Sequence, residues 1–73
     1  MAEVIGVIEE IVFRNEDNGF TVLDLINEAD GTLVTAIGNI PYAVEGERVR
    51  ITGEWSVHPD YGEQIKIQNY ETA

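Results

Sequence analysis

Cysteine is absent from this 73-residue chain, histidine occurs once, and basic residues occur only four times. Without thiols there is neither a disulfide framework nor a thiolate metal site. The single histidine, His58, is too few for an imidazole-based metal cluster. No apolar run approaches the length of a membrane span, because Gly, Asn, Thr or a charged residue interrupts each one. The start, Met1-Ala2-Glu3, lacks the basic region of a secretory signal, so the chain reads as cytoplasmic. Helix signals are nearly missing too, since apolar residues at i, i+3, i+4 and i+7 recur over no stretch of about 11 residues. The length allows one domain, and a chain this short buries only roughly 60% of its unfolded surface.

The scarcity of basic residues sets the charge. Arg14, Arg48, Arg50 and Lys66 face 14 acidic residues, giving a net charge of −10 and a pI near 4.1. A field of that sign repels polyanions, with salt screening it beyond about 8–10 Å. A generic binder of nucleic acid is basic, and composition alone argues against that class. A local cationic stripe stays open, and an acidic surface selected for solubility gives the same composition.

What is present is strand-like. Five runs rich in β-branched residues are expected as strands: Val4 to Phe13, Gly19 to Asn27, Thr32 to Gly38, Glu47 to Trp55 and Glu63 to Tyr70. The fourth alternates, with Val49, Ile51, Gly53 and Trp55 opposite Arg48, Arg50, Thr52 and Glu54. The fifth places Ile65 and Ile67 opposite Gln64, Lys66 and Gln68. Such alternation predicts one solvated face for each. The first run is apolar on both faces except at Glu9-Glu10, which suits a strand that bends and serves two halves of a barrel.

The connectors support this division. Asn15 to Gly19 and Asn27 to Gly31 end in the hairpin signals Asn-Gly and Asp-Gly. Asn39 to Gly46 is too short for more than one helical turn, and Ser56 to Gly62 joins the last two strands. No domain linker, low-complexity tract or internal repeat is apparent. Five short strands must close on themselves, because a flat sheet leaves an apolar face and two edges in water. The expected fold is therefore all-β, a small five-stranded Greek-key barrel of the OB type, with an SH3-like barrel as the alternative. Gly6, Gly38 and Gly53 stand where bulges and barrel corners recur.

Four runs then carry a resemblance: F-R-N-E-D-N-G-F-T-V-L (Phe13 to Leu23), G-N-I-P (Gly38 to Pro41), G-E-R-V-R-I-T-G-E-W (Gly46 to Trp55) and H-P-D-Y-G-E-Q-I (His58 to Ile65). In this order and spacing they resemble the N-terminal OB-like domain of RecD-like (RecD/TraA type) ATP-dependent DNA helicases. These are also named exodeoxyribonuclease V alpha subunit. The one departure is Ile65, where such sequences carry Phe, and it leaves the strand reading intact. The resemblance implies that residues 1–73 are a single N-terminal domain of a larger helicase of DNA repair and recombination. It implies ATP and Mg for the motor domains only. The chain itself has no G-x-x-x-x-G-K-[ST] phosphate loop, so no cofactor, metal or catalytic residue is expected in it.

The candidate residues fall into two groups. Arg48, Arg50 and Lys66 lie on the polar faces of the fourth and fifth strands, either as a cationic strip or as partners of Glu54 and other acids. Phe20, Val22, Tyr42, Trp55 and Tyr61 are the apolar candidates for contact with DNA or a partner. Phe20 and Val22 cannot share a face with Leu23 and Leu25 without a bulge, so one of these pairs is expected outside. Trp55 is either a core or barrel-end residue or an exposed platform. His58 has no Ser or Cys nucleophile arranged with it and reads as a turn residue. Glu9-Glu10 and Glu16-Asp17 read as solvated acids, the first pair pointing to opposite faces. The expected role is non-catalytic docking against neighbouring helicase domains or a partner protein, with no membrane contact. The alternative is a single-strand-binding module, although direct DNA binding by this acidic domain is expected to be weak or absent.

Overall fold

A computed structural model describes residues 1–60 and 62–73. It contains five strands, β1 (Ala2–Arg14), β2 (Phe20–Asn27), β3 (Leu33–Asn39), β4 (Arg48–His58) and β5 (Gly62–Thr72). They close into one barrel in the order β1-β2-β3-β5-β4. Every pairing is antiparallel except a short parallel one, from Thr35↔Gln64 to Ile37↔Lys66, between β3 and β5. Among the described residues there is no helix, and so none long and apolar enough to cross a membrane.

The first strand makes closure possible. β1 pairs with β4 from Ala2↔Gly53 to Val7↔Arg48, and with β2 from Gly6↔Asn27 to Arg14↔Thr21. Two register shifts, between Ile8 and Glu10 and between Ile11 and Phe13, bend it from one partner to the other. The bulge also leaves Glu9 and Glu10 both exposed, where simple alternation predicts opposite faces. Amides near the bend are satisfied by the β3–β4 connector. Ile8 N–H donates to the Glu47 carbonyl (2.9 Å), and Ile11 N–H to the Glu45 carboxylate (2.9 Å).

Alternate residues of each strand fill the interior. Val4, Ile8, Leu23, Leu25, Val34, Ala36, Val49, Ile51 and Ile65 are buried, and Ile40 and Ala43 of the connector join them. The connector is tied down by the Arg14 guanidinium, which donates to the Ala43 carbonyl, and by the wholly buried Thr21 hydroxyl, within reach of the Gly19 and Ile40 carbonyls. On β5 a second irregularity shifts the phase, because Thr52 faces Asn69 while Gly53 faces Ile67. Hence Ile65, Ile67 and then Tyr70 contact the core, rather than a strictly alternate set.

The β1–β2 and β2–β3 turns are copies of one device. N-E-D-N-G (Asn15 to Gly19) and N-E-A-D-G (Asn27 to Gly31) share a five-residue pattern, a short internal similarity where no repeat was expected. In each, the Asn side chain accepts the N–H two residues on (Asp17, 2.9 Å; Ala29, 3.0 Å), and the fourth residue accepts another (Phe20, 2.9 Å; Thr32, 3.0 Å). Each closes with the glycine N–H donating back to the first carbonyl, and Gly19 and Gly31 have φ of 78° and 73°. The strand ends differ from expectation mainly in β4, which runs three residues past Trp55 to His58. The β4–β5 connection is correspondingly tighter than Ser56 to Gly62.

Two predictions follow from this packing. Val49 is fully buried, so Val49→Asp places an uncompensated carboxylate in the barrel. That cost, several kcal/mol, is comparable with the roughly 4–11 kcal/mol expected for a domain of this size, and circular dichroism is expected to show a largely unfolded chain. Tyr70 donates to the Glu47 carboxylate (2.7 Å), and burial first and this acceptor second push its phenol well above the ordinary value. Its stabilising effect is intact below about pH 10, where the unfolded phenol ionises, and is lost as pH rises further. Urea midpoints measured above pH 10 will fall more steeply in the parent chain than in Tyr70→Phe.

Candidate functional site

The outer face of β2 and β3 carries a groove. Its residues are in register across the sheet, because cross-strand neighbours share a face. One row runs Phe13, Val22, Ile37, Lys66 and Glu54, and the next runs Glu10, Asp24, Thr35, Gln64 and Ser56. With Leu23 and Leu25 inside, Phe20 and Val22 are the pair left outside, both half-buried. Phe13 and Phe20 form the floor at one end, with ring centroids 6.5 Å apart and planes tilted by 55°. Val12, Val22 and Ile37 continue it, giving a mainly apolar groove of about 580 Å³.

Polar groups enter this groove from one side. Asp24 accepts the Thr35 hydroxyl at 3.0 Å. Gln64 is 8% exposed and lines the groove, and its side chain makes no hydrogen bond among the described residues. His58 closes the same end, where its Nδ1 accepts the Asp60 N–H at 3.0 Å and so fixes the β4–β5 turn. That is a structural use of the imidazole. Among the described residues no cluster of His, Asp and Glu could hold a metal ion.

The basic residues lie elsewhere. Arg48 grips Glu28 through Nε (2.8 Å) and Nη2 (2.7 Å), which holds the Glu28 carboxyl below its usual range and raises the guanidinium. That contact is present above the ordinary carboxylate pKa and weakens as pH falls. Arg50 lies between Glu71 (3.2 Å) and Glu3 (3.7 Å) on the β1–β4–β5 surface. Arg14 is spent on the connector. Lys66 alone borders the groove, in register between Ile37 and Glu54, and makes no ion pair among the described residues. The three cations of the candidate strip therefore do not converge on one ligand.

The remaining candidates occupy separate places. Trp55 has the phase of Val49 and Ile51 but stands at a barrel end, 47% exposed, in a second recess beside Leu33, Val34 and Glu63. Tyr42 is exposed and meets Tyr70 edge-on at 5.2 Å. Tyr61 lies outside the described residues. Phe13, Asp24, Ile37 and Gln64 are groove residues that sequence reading did not single out. Ile37 and Phe13 were both legible by alternation, in β3 and β1, and the two β1 bulges change only the partner of Phe13, from Phe20 to Val22.

Comparison with known proteins agrees with the barrel. A family model described as the OB-fold domain of the ATP-dependent DNA helicase YrrC matches residues 1–73. Comparisons with curated proteins and with solved structures found no significant match. An OB-type strand order, the four sequence runs and a family match along the whole chain converge: the protein belongs to the family of OB-fold domains of the YrrC, RecD-like ATP-dependent DNA helicase.

Proposed function

We propose that this chain is a non-catalytic docking module of a RecD-like helicase, holding neighbouring domains or a partner protein against the outer face of β2 and β3. The observation that carries this reading is the mismatch between that face and a phosphate backbone. Its floor is Phe13, Phe20, Val22 and Ile37, its central carboxylate is Asp24, and three of the four basic residues are engaged away from it. Apolar surface of this kind is the usual mark of a protein contact. ATP and Mg chemistry, and any exonuclease activity, belong in this reading to motor domains outside residues 1–73. The setting is cytoplasmic DNA repair and recombination.

The alternative reading, a grip on single-stranded DNA, is favoured by the location of the groove on the OB ligand face and by its two phenylalanines. Magnitude separates the two. With Lys66 as the only basic residue beside the groove, about one phosphate is neutralised, so the affinity term from counterion release is small. Stacking on two rings adds roughly 1–3 kcal/mol per base, against the repulsion of a net charge of −10. Fluorescence anisotropy with a labelled single strand is expected to give a Kd weaker than about 10 μM near physiological salt. Submicromolar binding that is lost in both Phe20→Ala and Lys66→Glu would establish the DNA reading instead.

A further inference from the structure

We infer that the groove on β2 and β3 receives an extended segment of a protein neighbour that carries an arginine two residues from an apolar side chain. The guanidinium sits over Asp24 and Glu10, the apolar side chain over Val22, and the segment's backbone meets the Gln64 amide. The inference rests on the docking reading and adds to it the chemistry of the partner.

Gln64 shows that the groove is built for a polar ligand group. Its side chain is 8% exposed and makes no hydrogen bond among the described residues. Among those residues no side-chain N or O atom is both sealed from solvent and unpaired, so this amide still opens to the surface, and Gln64 lines the groove. A ligand that covers the groove must replace the water there, because a buried amide left unpaired is costly. Two N–H donors and one carbonyl acceptor match a peptide group, and match a base edge equally well.

The carboxylates beside it decide between the two. Asp24 on β2 stands opposite Glu10 on β1, an arrangement in which like charges repel. Asp24 accepts the Thr35 hydroxyl, Thr35 is in register with Gln64, and neither acid has an ion pair among the described residues. Arg14, Arg48 and Arg50 are engaged elsewhere, and Lys66 lies on β5 with β3 between it and β2. The missing cation must therefore come from the partner, and the same pair of acids repels a phosphate. A guanidinium suits the place better than an ammonium, because its planar fork reaches a carboxylate and a neighbouring carbonyl together. A second copy of this chain is a poor source, since it brings a further net charge of −10.

Strand geometry sets the spacing. Val22 and Asp24 point outward from β2 two residues apart, about 7 Å along the strand, and Val22 lies between Phe13 and Ile37. One face of an extended segment repeats at the same step. Such a segment also has peptide groups free to meet Gln64, whereas those of a helix are already bonded.

NMR titration of the isotope-labelled 73-residue chain, whose core closes within its own five strands, tests this. The probe is acetyl-Gly-Leu-Ser-Leu-Ser-Arg-Ser-Gly-amide. Saturable shifts are expected at the Gln64 side-chain amide and the Val22 and Ile37 methyl groups. The same peptide with citrulline, the neutral isostere of arginine, is expected to bind about fivefold more weakly, as a half-exposed ion pair provides. Asp24→Asn keeps an acceptor for Thr35 and is expected to shrink that difference, while Gln64→Met weakens both peptides alike. Equal binding of the two peptides to the parent chain would overturn the inference and leave the docking reading standing. No saturable shift with either peptide would overturn it as well. If an oligodeoxythymidine then shifts the same methyl groups, the docking reading falls with it.

Discussion

The barrel depends on one strand having two partners. β1 gives its first half to β4 and its second half to β2, and the sheet closes because the backbone bends between them. The bend needs extra residues at the bulges and a residue without a Cβ where backbones converge. At Gly6 a Cβ would lie 2.0 Å from the Ile26 carbonyl oxygen, and at Gly53 one would lie 1.9 Å from that of Lys66. Neither site can yield by moving a flexible side chain. The glycines therefore fix how tightly β1 and β4 fold over their neighbours, and with that the diameter of the core.

Closure determines which face is left for contact. Once Leu23, Leu25, Val34 and Ala36 fill the interior, strict alternation sends Phe20, Val22 and Ile37 outward. The β1 bulges set Phe13 opposite Val22, and His58 of β4 and Gln64 of β5 line the far side. The apolar groove is thus a by-product of the same register that builds the core. Charge follows a different logic: Arg48 and Arg50 tie strands and loops together with Glu28, Glu3 and Glu71, leaving an acidic exterior around an apolar strip. A surface with that contrast suits a protein neighbour better than a polyanion.

Much of this was legible in the residues. Five strands, a shared first strand and the interior side of Val49 and Ile51 follow from alternation and from the double apolar face of residues 4–13. The Asn-Gly and Asp-Gly signals located two turns, and their matching hydrogen bonds show them to be one five-residue pattern. The site was less legible, because bulges change which residues stand opposite one another and leave no mark in composition. The two β1 bulges cancel in phase, so Phe13 stays on the outer face, but they slide it from opposite Phe20 to opposite Val22. Partnering is equally hidden: Arg48 and Arg50 look like a cationic stripe until loop and strand acids arrive from residues 3, 28 and 71. Trp55 kept the inward phase of its strand but reached past the end of the core, where phase no longer means burial.

The central claim is that the outer face of β2 and β3 is covered by protein in the intact helicase. Solvent paramagnetic relaxation of the Val22 and Ile37 methyl groups measures this directly, first in the 73-residue chain and then in the full-length protein without DNA. The account predicts strong relaxation in the isolated domain and marked suppression in the full-length protein. Equal relaxation in both, falling only when single-stranded DNA is added, would contradict it.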